Sequence, residues 1–147
     1  MKIIGHVYYD NAYKKVKNLG LEDKIIFVGE QTHDHVLEEM KKSFLHWNML
    51  SGDYVGLGTG TIEAMLTGLP IVSNIPQDLL GKDVKMNDME NYIHTNGKDI
   101  DLLVNKIESL LIDPSLRKRI GENGRKIVED NLNWDKVATE FELLFKK

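Results

Sequence analysis

The chain contains no cysteine, which excludes a disulfide framework, thiol chemistry and cysteine-ligated metal. No apolar run approaches the ~20 residues needed to span a bilayer. The opening segment, "MKIIGHVYYD", lacks the long apolar core of a signal peptide. Positive charge is not in excess either, the formal net charge being −4. Nucleic acid and anionic membrane surfaces are therefore poor candidate partners, because phosphate backbones are held by local cationic excess. The segment "RKRIGENGRK" (117–126) gathers five basic residues, yet a solvated helix face is the commoner reason for such a run. These absences predict a cytoplasmic domain without a nucleic-acid partner.

What is present is ordinary for a globular chain. At 147 residues, 41% hydrophobic and 29% charged, it suits a single domain burying about two-thirds of its unfolded surface. The β-rich runs "KIIGHV" (2–7) and "KIIFVGE" (24–30) flank a helix-forming segment, 10–20, with Ala12, Val16 and Leu19 at helical spacing and Gly20 as a stop. Strand, helix and strand make a βαβ unit, hence parallel strands with a right-handed crossover. A second helix is expected over 32–43, with Thr32 or Asp34 as cap, and a third strand over 44–50. A helix from Thr59 to Leu66 stops at Gly68 and leads to a strand over 70–74, with at most a short strand near "NYIH".

The last third reads as helical. Ile100, Leu103, Val104, Ile107, Leu110 and Leu111 form one apolar stripe. Asp113 and Pro114 suit an N-cap and a first helical position. Asn133 suits the cap of a final helix in which Trp134, Val137, Ala138, Phe141, Leu144 and Phe145 recur at three- and four-residue steps. Alternating strands and helices argue for an α/β fold with an open parallel, Rossmann-like sheet flanked by helices.

Chemistry is suggested by "GLGTGTIEAMLTGLPIV" (56–72). In open parallel sheets ligands bind beyond the carboxyl ends of the strands, where glycine turns feed helix N-termini. The unbonded N–H groups of a first helical turn attract anions. Gly58 and Gly60 let a ligand approach the backbone, and Thr59 and Thr61 add hydroxyl donors. A Walker A loop requires Gly-Lys-Ser/Thr, and no lysine occurs between 43 and 81. The dinucleotide pattern G-x-G-x-x-G fits at Gly56 and Gly58 but meets Thr61 where its third glycine belongs. Glu63 lies about one helical turn further on. A carboxylate accepts two hydrogen bonds from a vicinal diol such as a ribose, or it simply complements the helix dipole. From the residues alone both roles stand, and the second is commoner.

Glu63-Ala64-Met65, Gly68, Pro70 and Val72 carry a resemblance. The segment is similar to the donor site of GT-B glycosyltransferases, family 4 especially, whose pattern runs Glu-Gly-Phe-Gly, four residues, then Glu-Ala-Met-x-x-Gly-x-Pro-Val. Residues 19–30 and 110–145 resemble that family's flanking stretches in the same order. The resemblance implies the C-terminal half of a GT-B fold, a nucleotide-sugar-binding domain spanning 1–147. In that half Glu63 holds the donor's ribose, Gly58, Thr59, Gly60 and Thr61 receive the diphosphate, Glu30 and Gln31 contact the base, and Gly5 lines the cleft. A nucleotide-diphosphate sugar is the implied ligand, with uridine or guanosine as base. No cofactor is implied.

Two departures accompany it. The family's first glutamate falls at Val55, which accepts no hydrogen bond, and nearby Asp53 is not an evident substitute. The chain also starts at what resembles the second strand of the half, without the first strand–helix unit or the N-terminal acceptor domain. That domain is then expected in cis or as a separate subunit, with peripheral membrane association only through it. Alone, the chain is expected to be inactive, and no residue of it is assigned a catalytic role. An exposed sheet edge further predicts self-association or reduced stability. The alternatives are a degenerate, non-catalytic interaction or regulatory module and a nucleotide-sugar epimerase relative.

The remaining candidates are weaker. His33 and His35 flank Asp34, but residues two apart on a helix point to different faces and do not converge on one metal ion. No metal site is expected. His46 and Trp47 sit in an apolar segment and read as packed, and His6 follows Gly5 at a strand end.

Overall fold

The computed structural model describes residues 1–5, 10–49, 56–81 and 83–145, without the side chains of Asp10 and Glu140. The chain forms two compact units, Met1–Glu39 and Met40–Lys147.

The first unit opens with β1 (Lys2–Ile4), α1 (Asp10–Asn18) and β2 (Ile26–Gly29), and the unit boundary falls within α2 (His33–Lys42). β1 and β2 pair in parallel, Ile3 opposite Phe27, as the βαβ reading requires. Gly20 closes α1 at φ +63°, and Leu21 N–H reaches back to the Val16 carbonyl at 3.0 Å, a Schellman ending. Thr32 is the cap of α2, its hydroxyl accepting from His35 N–H at 3.4 Å. The Tyr13 ring lies 4.2 Å from that of Phe27, and Lys2 pairs with Glu39.

The second unit holds β3 (His46–Asn48), α3 (Thr59–Leu66), β4 (Ile71–Ser73), β5 (Ile93–His94), α4 (Ile100–Ile112), α5 (Pro114–Asn131) and α6 (Trp134–Phe145). Its strands pair in parallel in the order β3-β4-β5. Successive side chains of a strand point to opposite faces, and β4 is buried on both. Ile71 and Tyr92 join Ala64, Met65 and Val128 in one cluster. Val72 and Ile93 join Leu103, Leu110 and Ile120 in another. A strand covered on both faces is the mark of a parallel sheet sandwiched by helices.

The helical periodicities place α4 and α6 but not their burial. Leu103 and Leu110 of the α4 stripe are buried, while Ile100 and Leu111 are 57% and 60% exposed. They flank the single line along which α4 meets the core. In α6 the aromatic residues Trp134, Phe141 and Phe145 all lie on the surface. The basic run 117–126 lies on α5, where Lys118–Glu122 and Arg125–Glu129 form i,i+4 ion pairs on the solvent side. Such pairs contribute only about 0.3–0.5 kcal/mol each. Trp47, expected to be packed, is 44% exposed, because period two turns it away from the face that His46 and Asn48 share. Among the described residues no helix is long and apolar enough to cross a membrane.

Candidate functional site

α3 follows β3 and starts at the carboxyl edge of the three-stranded sheet. Its N-cap is Gly58, at φ +69° and ψ 149°, with no side-chain capping bond. A left-handed φ at this position favours glycine. The first intrahelical bond runs from Ile62 N–H to the Gly58 carbonyl at 3.1 Å, so the amides of Thr59, Gly60 and Thr61 precede the ladder. Such amides, at the positive end of the dipole, are groups to which anions are attracted. At both Gly58 and Gly60 an added Cβ would meet nothing within 4 Å. Gly60 has no unusual φ and no tight neighbour, so neither conformation nor packing explains a glycine inside a helix.

Glu63 is the fifth residue of α3, and the first turn holds no acidic residue. The dipole effect fades within the first turn, which weakens the reading of Glu63 as a mere dipole complement. At i+4 from Thr59 it shares that residue's face, and helix side chains lean toward the N-terminus. The half-buried Glu63 has its Cα about 6 Å along the axis from that of Thr59, and its side chain leans back toward the helix start.

Thr61 does something different from its expected hydroxyl donation. It is only 3% exposed, and its Oγ1 accepts from Asn48 Nδ2 at 2.8 Å and lies 3.4 Å from His46 Nε2. Its side chain is committed to β3, leaving its backbone amide at the helix start. Asn48 Nδ2 also donates to the Leu57 carbonyl at 3.4 Å. Asn48 and His46 were not singled out as site residues from the sequence. The available signal was two polar residues at i and i+2 in an otherwise apolar strand, which period two places on one face.

Burial lowers the His46 pKa from its ordinary value of 6.5, because desolvation penalises the imidazolium. The unfolded chain then binds a proton that the folded chain resists, so stability falls as pH drops below about 6.5 and levels off below the folded pKa. Melting temperatures measured between pH 7.5 and 5 are expected to decline across that window, and His46→Gln is expected to flatten the decline. An unchanged pH dependence in the variant would refute this assignment.

The other three expected contact residues gather in the first unit. Gly5, at φ +115°, donates its N–H to the Gly29 carbonyl at 2.8 Å, so it ends β1 beside the end of β2. Glu30 and Gln31 follow directly, both exposed, and Gln31 Nε2 donates back to the Val28 carbonyl at 3.3 Å. His6, Asp53 and Val55 lie outside the described residues. Among the described residues no three His, Asp or Glu side chains converge as a metal site.

A parallel α/β fold with a glycine-opened helix at its carboxyl edge is the arrangement in which open α/β sheets bind their ligands. The chain belongs to the glycosyl transferases group 1 family, whose sequence profile matches residues 1–127. It is 27% identical over 147 residues to an uncharacterized glycosyltransferase of Methanocaldococcus jannaschii, covering 99% of this chain and 36% of that one. It is 28% identical over 134 residues to N-acetyl-α-D-glucosaminyl L-malate synthase of Bacillus anthracis, covering 88% and 32%. The chain thus spans about a third of the length of these relatives. Anabaena HepE, solved in complex with UDP, shares the fold with a TM-score of 0.80 at 18% identity, over 99% of this chain and 40% of that chain. The fold is that of the GT-B glycosyltransferases.

Proposed function

We propose that this chain supplies the donor site of a glycosyltransferase that moves a hexose from a UDP- or GDP-sugar to an acceptor. The acceptor is held by a second domain, in the same polypeptide or on a separate subunit. The observation that carries the reading is α3 itself: a helix opened by Gly58 and Gly60, without a side-chain cap, and bearing Glu63 one turn along. The amides of Thr59 to Thr61 receive the diphosphate. Glu63 accepts hydrogen bonds from the ribose diol. As the sugar–phosphate bond breaks and the acceptor oxygen attacks the anomeric carbon, the departing diphosphate gains negative charge. Fixed amide dipoles stabilise that charge without reorganising. The UDP and UDP-glucose complexes of HepE support a nucleotide-sugar ligand.

On this reading the isolated chain binds donor and transfers nothing, since transfer also requires a positioned acceptor. Calorimetric titration with UDP and GDP tests it. The wild type is expected to bind at least one nucleotide, and Glu63→Ala to weaken that binding by about tenfold or more, the loss of one or two charge-assisted hydrogen bonds. Equal affinity in both proteins would refute the role of Glu63. A wild type that binds neither nucleotide would favour a non-catalytic interaction module, the reading supported by Val55 in place of the family's glutamate.

A further inference from the structure

We infer that Asn48 is a positioning residue that holds the diphosphate-binding turn from its buried side, an inference that rests on the donor-site reading above. The other helix starts with a described cap are closed by their own side chains. Thr32 accepts from His35 N–H at 3.4 Å, and Asp99 from Leu102 N–H at 2.9 Å. Asp113 accepts from Ser115 and Leu116 N–H at 2.9 and 3.0 Å, and Asn133 from Lys136 N–H at 2.8 Å. A cap of this kind occupies the amides that a phosphate needs. α3 has none. A glycine-opened turn without a cap samples many backbone conformations, and binding must then offset the cost of ordering it.

Asn48 resolves that conflict without touching the anion side. Its one side-chain nitrogen reaches Leu57 O, just before Gly58, and Thr61 Oγ1, three residues after it. The turn is bracketed on both flanks from the last residue of β3. Leu57 and Thr61 are both buried, at 6% and 3% exposure, and Asn48 is half-buried, so the bracket is partly shielded from water. His46, on the same strand face, lies against the same hydroxyl and keeps it turned to the sheet. The amides of Thr59 to Thr61 are thereby left facing outward in a fixed arrangement.

The test uses the 147-residue chain with Asn48→Ala, the isosteric Thr61→Val, which loses the acceptor, and Thr61→Ser, which keeps it. UDP and GDP are titrated by calorimetry at a temperature where all variants are folded. Backbone 15N order parameters of residues 59–61 are measured without nucleotide. Asn48→Ala and Thr61→Val are expected to bind about tenfold more weakly, a loss of preorganisation, and to lower the order parameters of the turn. Thr61→Ser, which keeps the acceptor, is expected to recover most of what Thr61→Val loses in both. Wild-type affinity in Asn48→Ala and Thr61→Val overturns the inference. If the wild type binds neither nucleotide, the donor-site reading fails separately. The order parameters then still decide the role of Asn48, and values unchanged in both variants overturn it.

Discussion

Gly121→Ala is expected to destabilise the second unit by about 3 kcal/mol or more, toward the upper end of overpacking effects. The new Cβ would fall 2.0 Å from the Gly68 carbonyl oxygen and 2.9 Å from its carbon. Neither partner is free to yield. Gly68 ends α3 at φ +77°, its N–H bonded to the Met65 carbonyl at 2.9 Å, and Pro70 Cδ stands 3.4 Å from the same point. α5 would have to withdraw by more than an ångström to restore normal contact. Ile120 and Val128, buried anchors of the two core clusters, would withdraw with it. Thermal melts should show a drop of about 10 °C. Gly124→Ala, whose Cβ would lie 2.7 Å from the Asn91 carbonyl oxygen, is expected to follow with a smaller loss. A Gly121→Ala protein melting within a degree or two of wild type would refute this account of the α3–α5 contact.

Gly60→Ala is expected to raise stability and to damage binding at once. Within α3, alanine is preferred to glycine by about 0.5–1 kcal/mol, and a Cβ at Gly60 meets nothing within 4 Å. The nucleotide-free protein should therefore melt about 2 °C higher. The same methyl group would occupy the space beside the Thr59 to Thr61 amides that the diphosphate is proposed to fill. UDP or GDP affinity should fall by about tenfold or more, the cost of overpacking an occupied cradle. The opposed signs are what make the pair of measurements decisive. A structural glycine would lose stability on substitution, and a glycine without function would gain it with affinity unchanged.

The helix whose two ends these substitutions probe was largely legible in the sequence. The expected helix from Thr59 to Leu66 is the observed α3, because its boundaries are set by Gly58 and Gly68, whose conformations are local. Thr32, Asp113 and Asn133 cap their helices for the same reason. Other features were not legible. The sequence shows His46 and Asn48 in an apolar run, but their meeting with Thr61 depends on β3 and α3 folding together. The close approach of Gly121 to Gly68 and the exposure of Trp134 and Phe145 are equally non-local.

By itself, then, the sequence determined the succession of strands and helices, the glycine-opened turn with Glu63 behind it, and the family. Each of these is written in spacings of a few residues, where periodicity and backbone preference act. Only the tertiary structure decided that the Thr61 hydroxyl faces β3, that Asn48 brackets the turn, and that two α5 glycines exist for close packing. Those outcomes depend on contacts between segments far apart in the chain, and such contacts are set by the packing of the whole unit.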